Sequence, residues 1–267
     1  MLAKKYEGVE YMKKRNIFWV IILLFFLLGI PVVLTAQSQL VPNSPDDFRI
    51  ANSSLGGVRI TRYLGTRQDV VIPETIDGLR VTEISRSAFA IDRPPIYTED
   101  TTIDVTITNV VLPNTLIVIG SWAFCGQPLT SISFPSSVRT IDWYAFYGNN
   151  FTSVVIPNGV TRLGDNAFGN KLGESSITSV TIPPSLANYS RPPNGLGFFG
   201  AFMEVEWGQS SRPAVSITNI TLPANVHQGN PVQLVVHHFH NGFNNAYVGN
   251  GRRAGTYIWT GRIWVVQ

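Results

Sequence analysis

Beyond residue 36 this chain of 267 residues contains one lysine, Lys171, and charged residues make up only 14% of the whole. An average globular chain carries roughly 25%. Scarce charge beside 44% apolar residues excludes the disordered, high-charge class. It also argues against nucleic acid. The formal net charge is +3, but Lys4, Lys5, Lys13, Lys14 and Arg15 against Glu7 and Glu10 account for all of it, leaving residues 37–267 neutral with 15 cations and 15 anions. A chain that neutralises several phosphates needs clustered Lys and Arg, and here the arginines are scattered. No nucleic-acid partner is expected.

Cysteine is nearly missing too. Cys125 stands alone, so no intrachain disulfide forms and none follows the leader to take a lipid. With no Cys/His signature around it, Cys125 reads as a small core-facing residue. The four histidines are His227, His237, His238 and His240. Neighbours on a strand point to opposite faces, and no Asp, Glu or Cys lies close to complete a metal site. They read as a polar edge of the C-terminal cap, with no metal and no cofactor expected. Asp46-Asp47, Glu99-Asp100 and Glu204 with Glu206 lack the paired placement that acid/base catalysis needs. G-x-S-x-G, the P-loop and H-E-x-x-H are absent. No catalytic residue is assigned, and the chain is read as non-enzymatic.

What is present begins with a leader. Met12-Lys13-Lys14-Arg15 precedes an apolar run, Ile17 to Val33, broken only by Gly29 and Pro31 and followed by Leu34-Thr35-Ala36-Gln37. Residues 1–36 therefore read as a signal peptide cut after Ala36. The alternative is an uncleaved anchor, because a run of about 17 residues sits at the lower edge of what spans a bilayer. Either way the protein leaves the cytoplasm, for secretion or for the cell surface or outer envelope. Membrane contact is expected only through an uncut leader.

The mature chain repeats. Thr152-Ser153-Val154-Val155-Ile156-Pro157, Val160-Thr161-Arg162-Leu163 and Ala167-Phe168 form one unit. Ser131-Ile132-Ser133-Phe134-Pro135, Val138-Arg139-Thr140-Ile141 and Ala145-Phe146 repeat it 22 residues earlier. Asn109-Val110-Val111-Leu112-Pro113, Leu116-Ile117-Val118-Ile119 and Ala123-Phe124 repeat it 22 earlier again. Imperfect units open at Val70-Val71-Ile72-Pro73, Thr178-Ser179-Val180-Thr181-Ile182-Pro183 and Thr218-Asn219-Ile220-Thr221-Leu222-Pro223. A unit supplies about six inward apolar groups at roughly 1.5–3 kcal/mol each, while ordering its backbone costs roughly 1–2 kcal/mol per residue. One unit cannot fold alone, so the pattern predicts a solenoid of about six parallel-stranded coils between irregular caps. The expected organisation is a linker and capping hairpin over 37–68, the solenoid over 69–226 with insertions near 90–105 and 187–215, and a C-terminal cap over 227–267.

These residues resemble the BspA-type leucine-rich repeat, whose units read approximately L-T-S-I-x-I-P-x-x-V-x-x-I-G-x-x-A-F. Phe48 through Gly65 looks like the hairpin that begins many such proteins. Arg252-Arg253-Ala254-Gly255-Thr256-Tyr257 with Trp259 and Trp264 looks like the tails of similar spirochaete proteins. The resemblance implies a leucine-rich repeat solenoid of the α/β horseshoe class, β-rich with little regular helix. It also implies a secreted or surface-displayed bacterial protein used for binding or adhesion.

Two surfaces offer themselves to a partner. Strands in register would show Asp69, Asn109, Ser131, Ser153, Ser179 and Asn219 in one outward column, and Val71, Val111, Ser133, Val155, Thr181 and Thr221 in another. Neither holds the Trp, Tyr or Arg that anchor interfaces. The turn before Ala-Phe does. Its columns, Arg86, Ser121, Trp143, Asp165 and Ser87, Trp122, Tyr144, Asn166, read as exposed. They bring Trp122, Trp143 and Tyr144 from neighbouring units together beside Arg139 and Arg162. The competing reading buries these rings under the insertion at 90–105, since large rings are highly buried on average. The expected function is adhesion or binding of host or matrix proteins by a monomer. The alternatives are an envelope scaffold without a host ligand and, less favoured by the residues, a hydrolase using the His-rich C-terminal cap.

Overall fold

The computed structural model describes residues 41–91, 103–171, 174–186, 201, 203–204, 212–213, 217–222, 254–259 and 264–267. The leader, all four histidines and most of both insertions lie outside the described residues. Among the described residues there are strands and two short 3-10 turns, Pro45–Asp47 and Pro184–Leu186, with no α-helix. No helix of these residues is long and apolar enough to cross a membrane.

The apolar I-P segments form the first set of strands. β3 (Asp69–Val71) pairs parallel with β6 (Asn109–Val111), Asp69 opposite Asn109 and Val71 opposite Val111. β9 (Ser153–Val155), β11 (Ser179–Thr181) and β14 (Asn219–Leu222) pair parallel in the register Ser153, Ser179, Asn219. Alternation sends Val154, Val180 and Ile220 into the core and leaves Val155 61% exposed. Ser131–Pro135, the same segment of the unit between β6 and β9, is not assigned to a strand. Ile132 and Phe134 still pack against the core.

The V-x-x-I segments, which the sequence marks only as a motif, form a second ladder. β5 (Leu79–Ile84), β7 (Val118–Ile119), β8 (Thr140–Ile141) and β10 (Arg162–Leu163) pair parallel in that order. The sheets are mixed in sense. β2 (Val58–Tyr63) pairs parallel with β5 but antiparallel with β1 (Phe48–Asn52), and β4 (Thr75–Ile76) turns back on β5. Asp77 and Gly78, at φ 52° and 75°, make the left-handed two-residue turn of that hairpin. Within the second insertion β12 (Met203–Glu204) pairs antiparallel with β13 (Arg212–Pro213). β15 (Gly255–Trp259) and β16 (Trp264–Val266) close the sheet that starts at β9, both antiparallel.

A third set of cross-unit bonds runs through the Ala-Phe turns. The N–H groups of Phe89, Phe124, Phe146 and Phe168 donate to the carbonyls of Ala123, Ala145, Ala167 and Ala201 at 2.7–2.8 Å. The pattern is thus kept at Ala201, within the second insertion. The rings stack in the same order: Tyr63–Phe89 at 5.4 Å, Phe89–Phe124 at 4.8 Å, Phe124–Phe146 at 5.2 Å and Phe146–Phe168 at 5.4 Å between centroids.

Buried amides lie just beyond the rings. Gln127 donates from Nε2 to the Phe89 carbonyl (2.7 Å) and accepts the Ile107 N–H (2.7 Å). Asn149 donates from Nδ2 to the carbonyls of Phe124 (2.9 Å) and Phe146 (2.8 Å) and accepts the Leu129 N–H (3.2 Å). Asn170 reaches the Asn149 carbonyl (3.2 Å). Each amide ties one unit to the next where water does not reach.

At the N-terminal end Asn43 is buried, donating to Asp47 Oδ2 (2.8 Å) and the Tyr63 hydroxyl (3.2 Å) while accepting the Val71 N–H (2.8 Å). Its own N–H donates to the Val71 carbonyl (2.9 Å). Val71 was expected on the outward column and is buried, because the entry segment pairs over it. Burial first, and then the Asp47 carboxylate, raise the Tyr63 pKa, against the lowering effect of the Arg67 N–H that donates to its oxygen (3.2 Å).

Two outcomes are expected. Asn149→Leu strands the Leu129 N–H and weakens two carbonyl contacts, so urea unfolding should show a loss of about 1–3 kcal/mol; an unchanged midpoint would remove the amide's structural role. For Tyr63 the folded state holds its proton more tightly than the unfolded one. Its contribution is complete below the ordinary tyrosine pKa near 10 and is lost as pH rises through the higher folded value. Melting temperatures across alkaline pH should therefore fall more steeply in the native chain than in Tyr63→Phe.

Candidate functional site

The two turn columns do not share one environment. Ser87, Trp122, Tyr144 and Asn166 all take left-handed conformations, at φ 55°, 63°, 56° and 56°. Glycine or asparagine adopts this readily, but for a tryptophan or tyrosine it is uncommon and strained. The N–H groups of Ser87, Trp122 and Tyr144 donate to the carbonyls of Ser121, Trp143 and Asp165 in the following unit (3.0–3.1 Å), which holds the turn in place.

The left-handed turn also redirects the side chains. The second column was expected to be exposed; Ser87, Trp122 and Asn166 are buried and Tyr144 is half-buried. Trp122 and Tyr144 stack face to face, 4.0 Å between centroids and 6° between planes, with Tyr147 edge-on to both at 6.2 and 5.5 Å. Ala90, Cys125 and Tyr147 complete a second apolar cluster outside the main core. Cys125 is buried there, rather than in the main core. The Ile91 N–H donates to the Cys125 carbonyl and the Ile103 N–H to the Ala90 carbonyl, so the first insertion leaves and re-enters beside this cluster.

The first column stays outside. Trp143 is 49% exposed, the largest aromatic surface among the described residues. It is backed by Gly164, where a Cβ would stand 2.6 Å from the indole Cδ1. The Arg162 guanidinium lies 6.0 Å from the ring centroid, within reach of a cation–π contact. Arg162 Nη2 also pairs with Asp142 Oδ1 at 3.2 Å, and the same oxygen accepts the Trp143 N–H at 2.9 Å. The pair is exposed, so it orients the guanidinium more than it stabilises the fold. Arg139 is placed elsewhere: its Nη1 donates to the carbonyls of Ser136 (2.8 Å) and Val138 (3.0 Å).

Of the five residues singled out in the sequence, Trp143 and Arg162 thus form one exposed pair, Trp122 and Tyr144 a second, mostly covered one, and Arg139 braces a different turn. Asp142 and Gly164 were missed. Both occupy the position after the V-x-x-I segment, and the signal was available: a place that reads Gly in two units and Asp between them. Among the described residues no three His, Cys, Asp or Glu side chains gather as a metal site needs.

Residues 103–191 match the family model of the BspA type leucine rich repeat region, in 6 copies. Among solved structures the chain is similar to a leucine-rich repeat protein of T. pallidum, at 24% identity over 54% of this chain and 72% of that one, with a TM-score of 0.38. It is similar to a leucine-rich repeat protein from Bacteroides ovatus at 20% identity over 54% and 47%, TM-score 0.34. A leucine rich cell surface protein from Faecalibacterium prausnitzii follows at 16% identity over 58% and 59%, TM-score 0.25. No curated protein matches the chain.

Gly164→Ala tests the seat of Trp143. The added methyl must displace the indole or the Asp142–Trp143 backbone, at about 1–3 kcal/mol. A melting curve indistinguishable from that of the native chain would mean that the ring does not rest where the structure has it.

Proposed function

From a chain whose residues 103–191 are BspA-type leucine-rich repeats, we propose a non-catalytic, exported protein that binds another protein through the turn edge of its repeats. Leucine-rich repeat proteins commonly mediate protein–protein interaction and are in general non-enzymatic. The parallel pairing of β5, β7, β8 and β10 supports units that wind as a solenoid. Such units present turn residues in rows at fixed spacing. The leader of residues 1–36 supports export, and the bacterial cell surface is the proposed destination.

One observation carries the choice of surface: Trp143 stands half exposed over a glycine, with Arg162 beside it and a backbone held by cross-unit hydrogen bonds. A rigid aromatic with an adjacent guanidinium is the composition of an interface anchor. Little conformational entropy remains to be lost on docking, because the seat is already formed. The sheet face offers Ser, Thr, Asn and Val instead.

The test is capture of matrix and serum proteins by the immobilised chain, followed by affinity measurement for whichever protein is retained. Trp143→Ala should weaken that affinity by at least about 30-fold, the equivalent of a 2 kcal/mol anchor, and Arg162→Ala by less, with both variants melting as the native chain does. Unchanged affinity in Trp143→Ala would move the interface off this edge. Protease treatment of intact cells checks the location: a surface protein is degraded and an internal one is spared.

A further inference from the structure

Two sheets end in open edges, and the edges are built differently. At the outer side of β1, Arg49 stands opposite Arg62 of β2, and the register shifts between Arg49 and Ile50. Charge and an irregular backbone are the means by which an edge strand refuses a further strand. β16 has neither. Trp264-Val265-Val266, followed by Gln267, carries no charged side chain and no proline. Val265 and Val266 are 37% and 39% exposed. Among the described residues β16 pairs with β15 and with nothing on its other side.

The register shows which groups face that open side. The Gln267 N–H donates to the Thr256 carbonyl at 2.9 Å. Backbone groups alternate along an antiparallel strand, so Val265, opposite Ile258, also bonds toward β15. The N–H and C=O of Trp264 and Val266 are left pointing outward.

We propose that β16 is a homodimer edge, to which a second copy of this chain adds its own β16 antiparallel about a two-fold axis at Val265. In that register Trp264 of one copy faces Val266 of the other, and each pair exchanges N–H···O=C bonds in both directions. The two Val265 residues meet as the closer, non-hydrogen-bonded pair. The arrangement is isologous and closes on itself. A copy of the chain is the fitting occupant because the strand is self-complementary: it sets no like charges against each other and satisfies each outward donor with an outward acceptor. Addition of β16 to the β1 edge of another copy would instead grow without end, and Arg49, Arg62 and the register shift oppose it. The sequence alone gives no reason to expect more than a monomer; the unguarded edge does.

The experiment is sedimentation velocity over a dilution series of the chain produced with its own leader, in the form the producing cell leaves it, alongside hydrogen exchange at the same concentrations. A dimer that dissociates on dilution is expected, with the Trp264 and Val266 amides slowing as concentration rises. Val265→Lys should give a monomer at every concentration. Val155→Lys, which adds the same charge at an exposed valine on another strand, should leave the dimer intact. A monomer throughout in the native chain, open-ended growth, or a dimer that survives Val265→Lys would each overturn the proposal. Should Val265→Lys fail to fold, exchange at Trp264 and Val266 that ignores concentration in the native chain overturns it equally.

Discussion

The rings of Phe89, Phe124 and Phe146 are each covered by the ring of the unit before and the ring of the unit after. The centroid spacings of 4.8–5.4 Å nearly match the separation of hydrogen-bonded strands, about 4.7–4.9 Å. The backbone bonds from Phe N–H to Ala carbonyl therefore set a distance at which the rings already touch. Neither contact needs to yield to the other. Tyr63 takes the terminal place in the stack, and its hydroxyl supplies the polar end that a phenylalanine could not, meeting Asn43 and Arg67 where the column reaches the entry segment.

The same constraint explains the turn edge. With the Ala-Phe bonds fixed, the residue before Ala is held left-handed in four units whatever its side chain. That conformation costs an L-residue roughly 1–2 kcal/mol. Stacked aromatics contribute about 0.5–1.5 kcal/mol beyond area burial, and burying a large ring adds about 1.5–3 kcal/mol more. For Trp122 and Tyr144 the stack therefore outweighs the strain. Trp143, one residue earlier than Tyr144, keeps its outward direction, and its exposure follows from its neighbour's burial.

Much of this was legible in the sequence. The recurrence of the I-P segment located strands and their register, Asp69 with Asn109 and Ser153 with Ser179, although it marked Ser131–Pro135 equally and no strand forms there. The second ladder was not, since two-residue strands such as Val118–Ile119 carry no alternation to read. The left-handed column was hidden because nothing in Trp122 or Tyr144 suggests positive φ; only Asn166, three residues after Leu163, gives it away. The amides Gln127 and Asn149 each follow Ala-Phe-x-Gly, so the signal existed. Reading it required knowing that the position is buried. Val71 depended on an entry segment whose course no periodicity describes.

The buried amides have a consequence for how such a chain changes length. Asn149 bonds to carbonyls on both sides of a unit boundary, and Gln127 and Asn170 each reach back to a carbonyl of the unit before. A duplication or deletion spanning one whole unit leaves each amide facing the backbone of the unit before it and gives every ring of the column an aromatic neighbour. Recombination at whole-unit boundaries preserves these contacts better than a shift of one or two residues within a unit, which misplaces an amide beneath its carbonyl. Lineages of this architecture can vary in the number of rows they display while each row stays the same.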